Sequence, residues 1–405
     1  MDKKNIWIIN QYTGSSYYGM NFRSYYFAKE FVASGHEVTI FTGSYSHLFF
    51  NYPKTDGMFT KESIDNINYI WVKVPKYKSS KSMGRVVNMF VFTMKLLLFN
   101  IFKIKKPDII IISSLSLFPV LNAYIWSKLL KVEFIFEVRD IWPLTLVEVG
   151  NMSKYSPLVL LLGLFEKLGY KKAKYVVSVL PQAKEHMIAQ GMQENKFRYI
   201  PNGINITEVR NSEDIELSIK NTIPKDKFIM GYLGTIGIAN AMSYFLDAAL
   251  ILKENKYIHF VLVGTGGEKE KLEIFSKKHN LNNVTFIDAI PKRQVQNMLK
   301  LFDVCYIGWH KKDIYKYGIS ANKIFDYMYS GKPILHSTHI RNDFIKDAKC
   351  GLSVEAETPE IISSAIVDLY NMNRNQLEAM GKNGKKYVID NHSYNSLVKS
   401  YIEIL

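Results

Sequence analysis

PDIIIISS, residues 107–114, holds four isoleucines in a row with no polar residue among them. A strand with one face in water alternates polar and apolar side chains. This run has no polar side to present, so both faces must be covered, as in a parallel sheet with helices above and below. The first half of the chain repeats the theme. NIWIINQY, EVTIFTG, INYIWVKV, EFIFEVRD, YVVSVL and FRYIPNGI read as further strands, with helical stretches over 20–34, 83–103, 117–130, 156–172 and 181–190. Strand and helix in alternation predict a doubly wound α/β domain.

The alternation pauses over residues 205–226, which are polar, lack a period and read as an interdomain linker. It restarts with KFIMGYLG and continues through IHFVLVG, NVTFIDA, VCYIGW, PILHST and GLSVEA, and the chain is mostly helical from residue 359. A chain of 405 residues with 47% apolar content can build more than one core. The expected organisation is two Rossmann-like, doubly wound parallel-sheet domains in tandem, 1–205 and 206–392. Ligands of such sheets bind beyond the carboxyl ends of the strands, so the cleft between the domains is the expected site.

The two cysteines, Cys305 and Cys350, sit in or beside apolar runs and offer neither a disulfide framework nor a zinc cluster. A reducing cytosol fits, and no signal peptide is expected from the first residues. The longest apolar stretch, 86–102, is interrupted by Asn88, Lys95 and Asn100, which makes a poor membrane span. The net charge of +15 is lopsided. Residues 1–200 hold 26 basic against 14 acidic side chains, and residues 201–405 hold 26 against 23. No acidic residue lies between Asp65 and Asp108, whereas nine basic ones do, among them Lys81, Arg85, Lys95 and Lys103. Such a patch attracts an anionic lipid surface or nucleic acid.

Several motifs follow strands. Gly14 and Gly19 flank the loop after the first strand, where backbone amides can approach an anion; a plain strand–helix connection fits them equally. EFIFEVRDIWP delivers Arg139, Asp140 and Trp142 together at the mouth of a buried strand, with Glu137 on the face of Arg139. Opposite charges there are costly unless they are paired or used. Gly234, Thr235, Ile236 and Gly237 form a turn whose amides can hold a diphosphate, and Gly264 opens the next such loop. In YGISANKIFDYMYSGKP, Ser320 or Asn322 reads as a helix cap. Lys323 then falls in the first turn, where the helix dipole disfavours a cation. An anion bound there resolves the conflict, and Asp326 one turn on can accept from vicinal hydroxyls. The bland alternative pairs Lys323 with Asp326 at i+3. HExxH, Asp-x-Asp, a Cys/His cluster, GxxxxGK[ST] and GxSxG are all missing, so neither a metal nor a cofactor is expected.

Taken in order, GHEVTIFTG (35–43), EVRDIWP (137–143), YIPNGIN (199–205), GYLGTIG (231–237), VLVGTGGEKEKL (261–272) and YGISANKIFDYMYSGKPI (317–334) resemble family-4 glycosyltransferases of the GT-B fold over nearly the whole chain. RDIWP and GISANKIFDYM are similar to a subgroup from polysaccharide gene clusters that includes L-fucosamine transferases of O-antigen synthesis. The resemblance implies a retaining, metal-independent transfer from a UDP-linked nucleotide sugar to an acceptor on the N-terminal domain. It implies a C-terminal helix, 393–405, that packs back on that domain. It places the donor on Gly19, Gly234, Thr235, Ile236, Gly237, Gly264, Ser320, Ala321, Asn322, Lys323 and Asp326, and the chemistry on Arg139, Asp140 and Lys323.

Departures matter. Gly318 stands where the family often has a glutamate, Thr235 and Asn240 where it has an Arg…Lys pair, and Arg139 where it has a histidine. Lys323 is the substitute cation. The basic apolar segment around Lys81, Arg85, Lys95 and Lys103, with residues 156–174, is expected to lie on a membrane. That suits a lipid-diphosphate-linked saccharide acceptor and a place on the cytoplasmic face. Rival readings are a nucleic-acid-binding protein, which lacks a recognised module, a sugar-nucleotide epimerase of the same fold, and a non-catalytic partner subunit.

Overall fold

The computed structural model describes residues 2–19, 22–78, 82–114 and 116–405. The chain divides into two compact units, Met1–Asn202 with Tyr394–Leu405, and Gly203–Ser393.

The first unit is built on an eight-stranded sheet. Its strands are β1 (Asn5–Ile9), β2 (Glu37–Gly43), β3 (Phe59–Ile64), β4 (Ile67–Val72), β5 (Ile109–Ser113), β6 (Glu133–Val138), β7 (Tyr175–Ser178) and β8 (Phe197–Tyr199). Their order is β3-β4-β2-β1-β5-β6-β7-β8, parallel throughout except for the hairpin between β3 and β4. β5 is the isoleucine run, and all five of its residues are buried between β1 and β6. β3 has no counterpart in the sequence reading. It is an edge strand, FTKESI, with no fully buried residue, and it turns through Asp65 and Asn66, both at positive φ. The segment expected as one helix over 83–103 ends at Leu97, and a single 3-10 turn, Ile101–Lys103, follows. Helix Tyr394–Ile402 lies against helix Phe22–Ala33, with Tyr401 buried edge-on to Phe27 and Phe31.

The second unit has a six-stranded, all-parallel sheet: β9 (Phe228–Leu233), β10 (Ile258–Val263), β11 (Val284–Ile287), β12 (Val304–Gly308), β13 (Ile334–Ser337) and β14 (Gly351–Val354). The order is β11-β10-β9-β12-β13-β14. Strand order therefore reverses between β1 and β5 in one sheet and between β9 and β12 in the other. The supposed linker is a correction. Residues 205–226 fold into two short helices, and Val209, Ile215 and Ile223 enter the core of the second unit beside Met298 and Phe302. Three apolar residues spaced six and eight apart carry no period, yet they are enough to dock the segment.

Candidate functional site

Helix Asn322–Ser330 turns Ile324, Phe325, Tyr327 and Met328 into the core and stops at Gly331, whose φ of +74° suits glycine. Its N-cap is Ala321, not Ser320 or Asn322, and no side chain caps it. The Ala321 cap therefore offers no side-chain acceptor to the first-turn amides at the positive end of the helix dipole. Lys323 is in that turn, half-buried. It does not pair with Asp326. Its Nζ donates to Tyr232 Oη at 2.9 Å and to Asn240 Oδ1. The ammonium also lies 4.8 Å from the Tyr232 ring centre and 5.5 Å from that of Trp309. All these partners are neutral, and burial pulls the Lys323 pKa down to about 7.

The surrounding loops fix this cage. Tyr232 Oη donates onward to the Thr235 carbonyl at 2.6 Å, and Asn240 Nδ2 to the same oxygen at 2.8 Å. Asn240, where the family pattern has a lysine, therefore serves as an acceptor for Lys323. A Cβ on Gly234 would come within 3.5 Å of Lys323 Nζ. Gly264 has a packing reason of its own: a Cβ there would strike the Gly234 carbonyl oxygen at 1.9 Å. Its absence lets the loops after β9 and β10 press together. The amides of Gly234 and Ile236 are committed to Val263 O and Thr265 O, so these two do not cradle an anion, and the Ile236 side chain is fully buried. Thr235 is exposed and Gly237 is half-exposed at the turn's outer edge. The cage stands just beyond β9 and β12, at the point where strand order reverses.

Asp326 is buried and already partnered. Lys292 Nζ reaches both of its oxygens, at 2.7 and 2.6 Å. Gly318 has φ +104°, a conformation glutamate would adopt only with strain. Gly318 ends the 3-10 turn Asp313–Tyr317, ahead of Ser320, Ala321 and Asn322 at the helix start.

In the first unit, Glu137 is a structural residue. Arg23 Nε donates to it at 2.9 Å, Ser113 Oγ at 2.7 Å, and the Tyr401 hydroxyl also. Burial alone would raise the Glu137 pKa, but the Arg23 charge and the Tyr401 hydrogen bond hold it below the ordinary carboxylate value. Arg23 was missed in the sequence; a lone arginine in the aromatic helix FRSYYF was the available signal. Arg139 follows β6, half-buried, its amide donating to Ser114 Oγ at 2.9 Å, and Asp140 is exposed. Gly19, at φ +103°, pairs with Phe49 and packs against Gly14.

Of the expected membrane-facing cations, Lys81 lies outside the described residues. Arg85 is turned inward, 5.4 Å from the Tyr12 ring centre and 5.9 Å from that of Trp142. Lys95 is half-buried and donates to the Lys73 carbonyl at 2.6 Å. Lys103 is exposed. What the outer face of helix Met83–Leu97 presents is apolar: Met83, Val87, Phe90, Met94 and Leu97 are all exposed. They repeat at four- and three-residue steps, one stripe opposite the buried face of Met89, Phe92 and Leu96. Leu160, Leu161 and Leu164 are exposed on helix Pro157–Lys172. Among the described residues, no helix is long and apolar enough to cross a membrane.

Comparison with known proteins agrees with this layout. Residues 17–208 match the Glycosyltransferase Family 4 model and residues 213–387 the Glycosyl transferases group 1 model. An uncharacterized glycosyltransferase of Methanocaldococcus jannaschii is 26% identical over 244 residues, 59% of this chain and 59% of its own length. WcaI of Escherichia coli, a glycosyl transferase provisionally named for colanic acid biosynthesis, is 24% identical over 212 residues, 51% of this chain and 52% of its own. The chain thus spans little more than half the length of the curated relatives it matches. HepE of Anabaena, solved with UDP and glucose, superposes with a TM-score of 0.67 at 12% identity, covering 99% of both chains. The chain carries a Glycosyltransferase Family 4 domain followed by a Glycosyl transferases group 1 domain, the two parallel-sheet halves of the GT-B glycosyltransferase fold.

Proposed function

We propose that the protein transfers a sugar, with retention and without a metal, from a nucleotide sugar to a lipid-diphosphate-linked saccharide in the making of a surface polysaccharide. The observation that carries this reading is Lys323, a half-buried ammonium in a first helical turn whose partners are all neutral. Its geometry suits a diphosphate. As the bond from the anomeric carbon to the β-phosphate oxygen breaks, negative charge gathers on the leaving diphosphate. Lys323 and the uncapped helix start stabilise that charge. The acceptor hydroxyl oxygen bonds to the anomeric carbon on the face the diphosphate leaves, and its proton passes to the departing β-phosphate oxygen. Asp326 takes the ribose hydroxyls beside Lys292, and Arg139 and Asp140 orient the acceptor or the sugar.

UDP is the favoured nucleotide, because HepE is a fold relative solved with it. WcaI, named for colanic acid, favours polysaccharide synthesis. The resemblance of RDIWP and GISANKIFDYM favours an N-acetylated amino or deoxy sugar such as N-acetyl-L-fucosamine (L-FucNAc), in O-antigen or capsule. The outward apolar stripe of helix Met83–Leu97 supports peripheral contact with the cytoplasmic face of the membrane.

Two experiments test the reading. UDP should raise the melting temperature of the wild-type protein. Lys323→Ala should fold normally, lose that shift and lower turnover by about a hundredfold or more. Unchanged turnover in Lys323→Ala ends the proposal. For the membrane face, Phe90→Glu with Met94→Glu should abolish sedimentation with anionic liposomes while leaving the fold intact; equal sedimentation rejects that contact.

A further inference from the structure

Trp309 is the first residue beyond β12, and His336 lies on the neighbouring strand β13, opposite Ile307 in the register. The Trp309 amide donates to the Ser337 carbonyl at 3.1 Å, which carries the β12–β13 pairing one residue further. The indole Nε1–H donates to His336 Nε2 at 3.0 Å, and His336 Nδ1 lies 3.0 Å from Asp343 Oδ1. His336 is fully buried, and Asp343 and Trp309 are nearly so, so water cannot replace either bond.

The chemistry allows one direction only. An indole nitrogen donates and never accepts, so His336 Nε2 must carry its lone pair. The imidazole is then neutral and holds its proton on Nδ1, facing the carboxylate. Asp343 is itself fixed as the cap of the short helix Phe344–Asp347, taking the Ile345 amide at 3.1 Å. The chain Asp343–His336–Trp309 therefore has a fixed end, a single tautomer and a single indole orientation. Its free end is the indole face toward Lys323. Tyr232 forms the other wall of the cage and is anchored separately, through Thr235.

We propose that His336, acting through Trp309, is a positioning residue that sets Lys323 for the diphosphate. The inference rests on the donor reading above. A cation held between two aromatic rings loses part of its grip when either ring is free to turn. His336 touches neither donor nor acceptor in this account. Its contribution is confined to the part of the ligand that Lys323 meets.

Calorimetric binding of UDP and of uridine separates this role from a merely structural one. Trp309→Phe keeps a ring and removes the indole N–H, and His336→Leu removes the acceptor. Each should weaken UDP about fivefold and leave uridine unchanged. The double variant should be no weaker than either single one, because both break the same contact. His336→Gln, which offers Oε1 to the indole, should restore UDP binding. On a Lys323→Ala background neither change should matter. If His336→Leu fails to fold, Trp309→Phe alone still decides. A UDP-over-uridine preference that survives Lys323→Ala overturns the donor reading itself. A preference that is lost in Lys323→Ala but intact in Trp309→Phe and His336→Leu overturns this inference alone, as does an equal loss for UDP and uridine.

Discussion

Arg23 in the first unit and Lys323 in the second are both drawn out of water, and they keep different company. Arg23, 2% exposed, spends its guanidinium on the Glu137 carboxylate, the carbonyls of Ile200 and Pro201, and Asn202 Oδ1. Its charge is neutralised and its donors have acceptors. The network ties helix Phe22–Ala33, β6, the segment after β8 and the returning helix Tyr394–Ile402 into one unit. Lys323 has hydroxyl, amide and ring partners but no counter-charge. A buried cation that is neutralised holds a fold together. One that is merely solvated by neutral groups is waiting for an anion.

The sharpest way to break this comparison is at Arg23. Arg23→Met leaves Glu137 buried without its cation and should cost about 3–5 kcal/mol, read as a large fall in melting temperature. Adding Glu137→Gln should recover part of that loss. If Arg23→Met melts with the wild type, the Arg23 network is not what holds the first unit. The second contrast concerns Lys323 and stability. Its folded pKa of about 7 lies below the ordinary lysine value, so the unfolded chain binds more protons from there up to about 10.4. Stability from this group should rise with pH across that window. Lys323→Met should melt at or above the wild-type temperature at pH 7 while binding UDP no more tightly than uridine. The mildest effect belongs to Lys292, the cation neutralised by Asp326, which stands one helical turn on from Lys323. Lys292→Met frees the Asp326 carboxylate and should shift the preference for UDP over 2′-deoxy-UDP by about threefold, the low end of what one hydrogen bond contributes. An unchanged preference removes Asp326 from the ribose.

Much of the fold was legible because continuous apolar runs are strands covered on both faces, and EVTIFTG matches β2 residue for residue. β3 was not legible because an exposed edge strand has no apolar run; Asp65-Asn66 was its one turn signal. The 205–226 segment looked like a linker because Val209, Ile215 and Ile223 dock singly. At the site, Lys323 betrayed itself by conflict with the helix dipole, a local rule. Its partners did not, since Tyr232 and Asn240 lie 91 and 83 residues away in the chain and meet it only through sheet topology. Lys292 on Asp326 and His336 behind Trp309 escaped for the same reason. Which way the cations of residues 85–103 point is not legible in the sequence, because their spacing does not say which side of the helix packs on the sheet. Helix geometry turns Arg85 inward and leaves the apolar residues outside.

The most direct test of the account is proton uptake on UDP binding, measured by calorimetry in buffers of different ionisation enthalpy at pH 8. With a free-protein pKa of about 7, Lys323 is mostly neutral there, and an anion must recharge it. The account predicts uptake of about one proton by the wild-type protein, none by Lys323→Met, and UDP affinity that falls as pH rises above 7. Binding without proton uptake, or equal uptake in Lys323→Met, would contradict it.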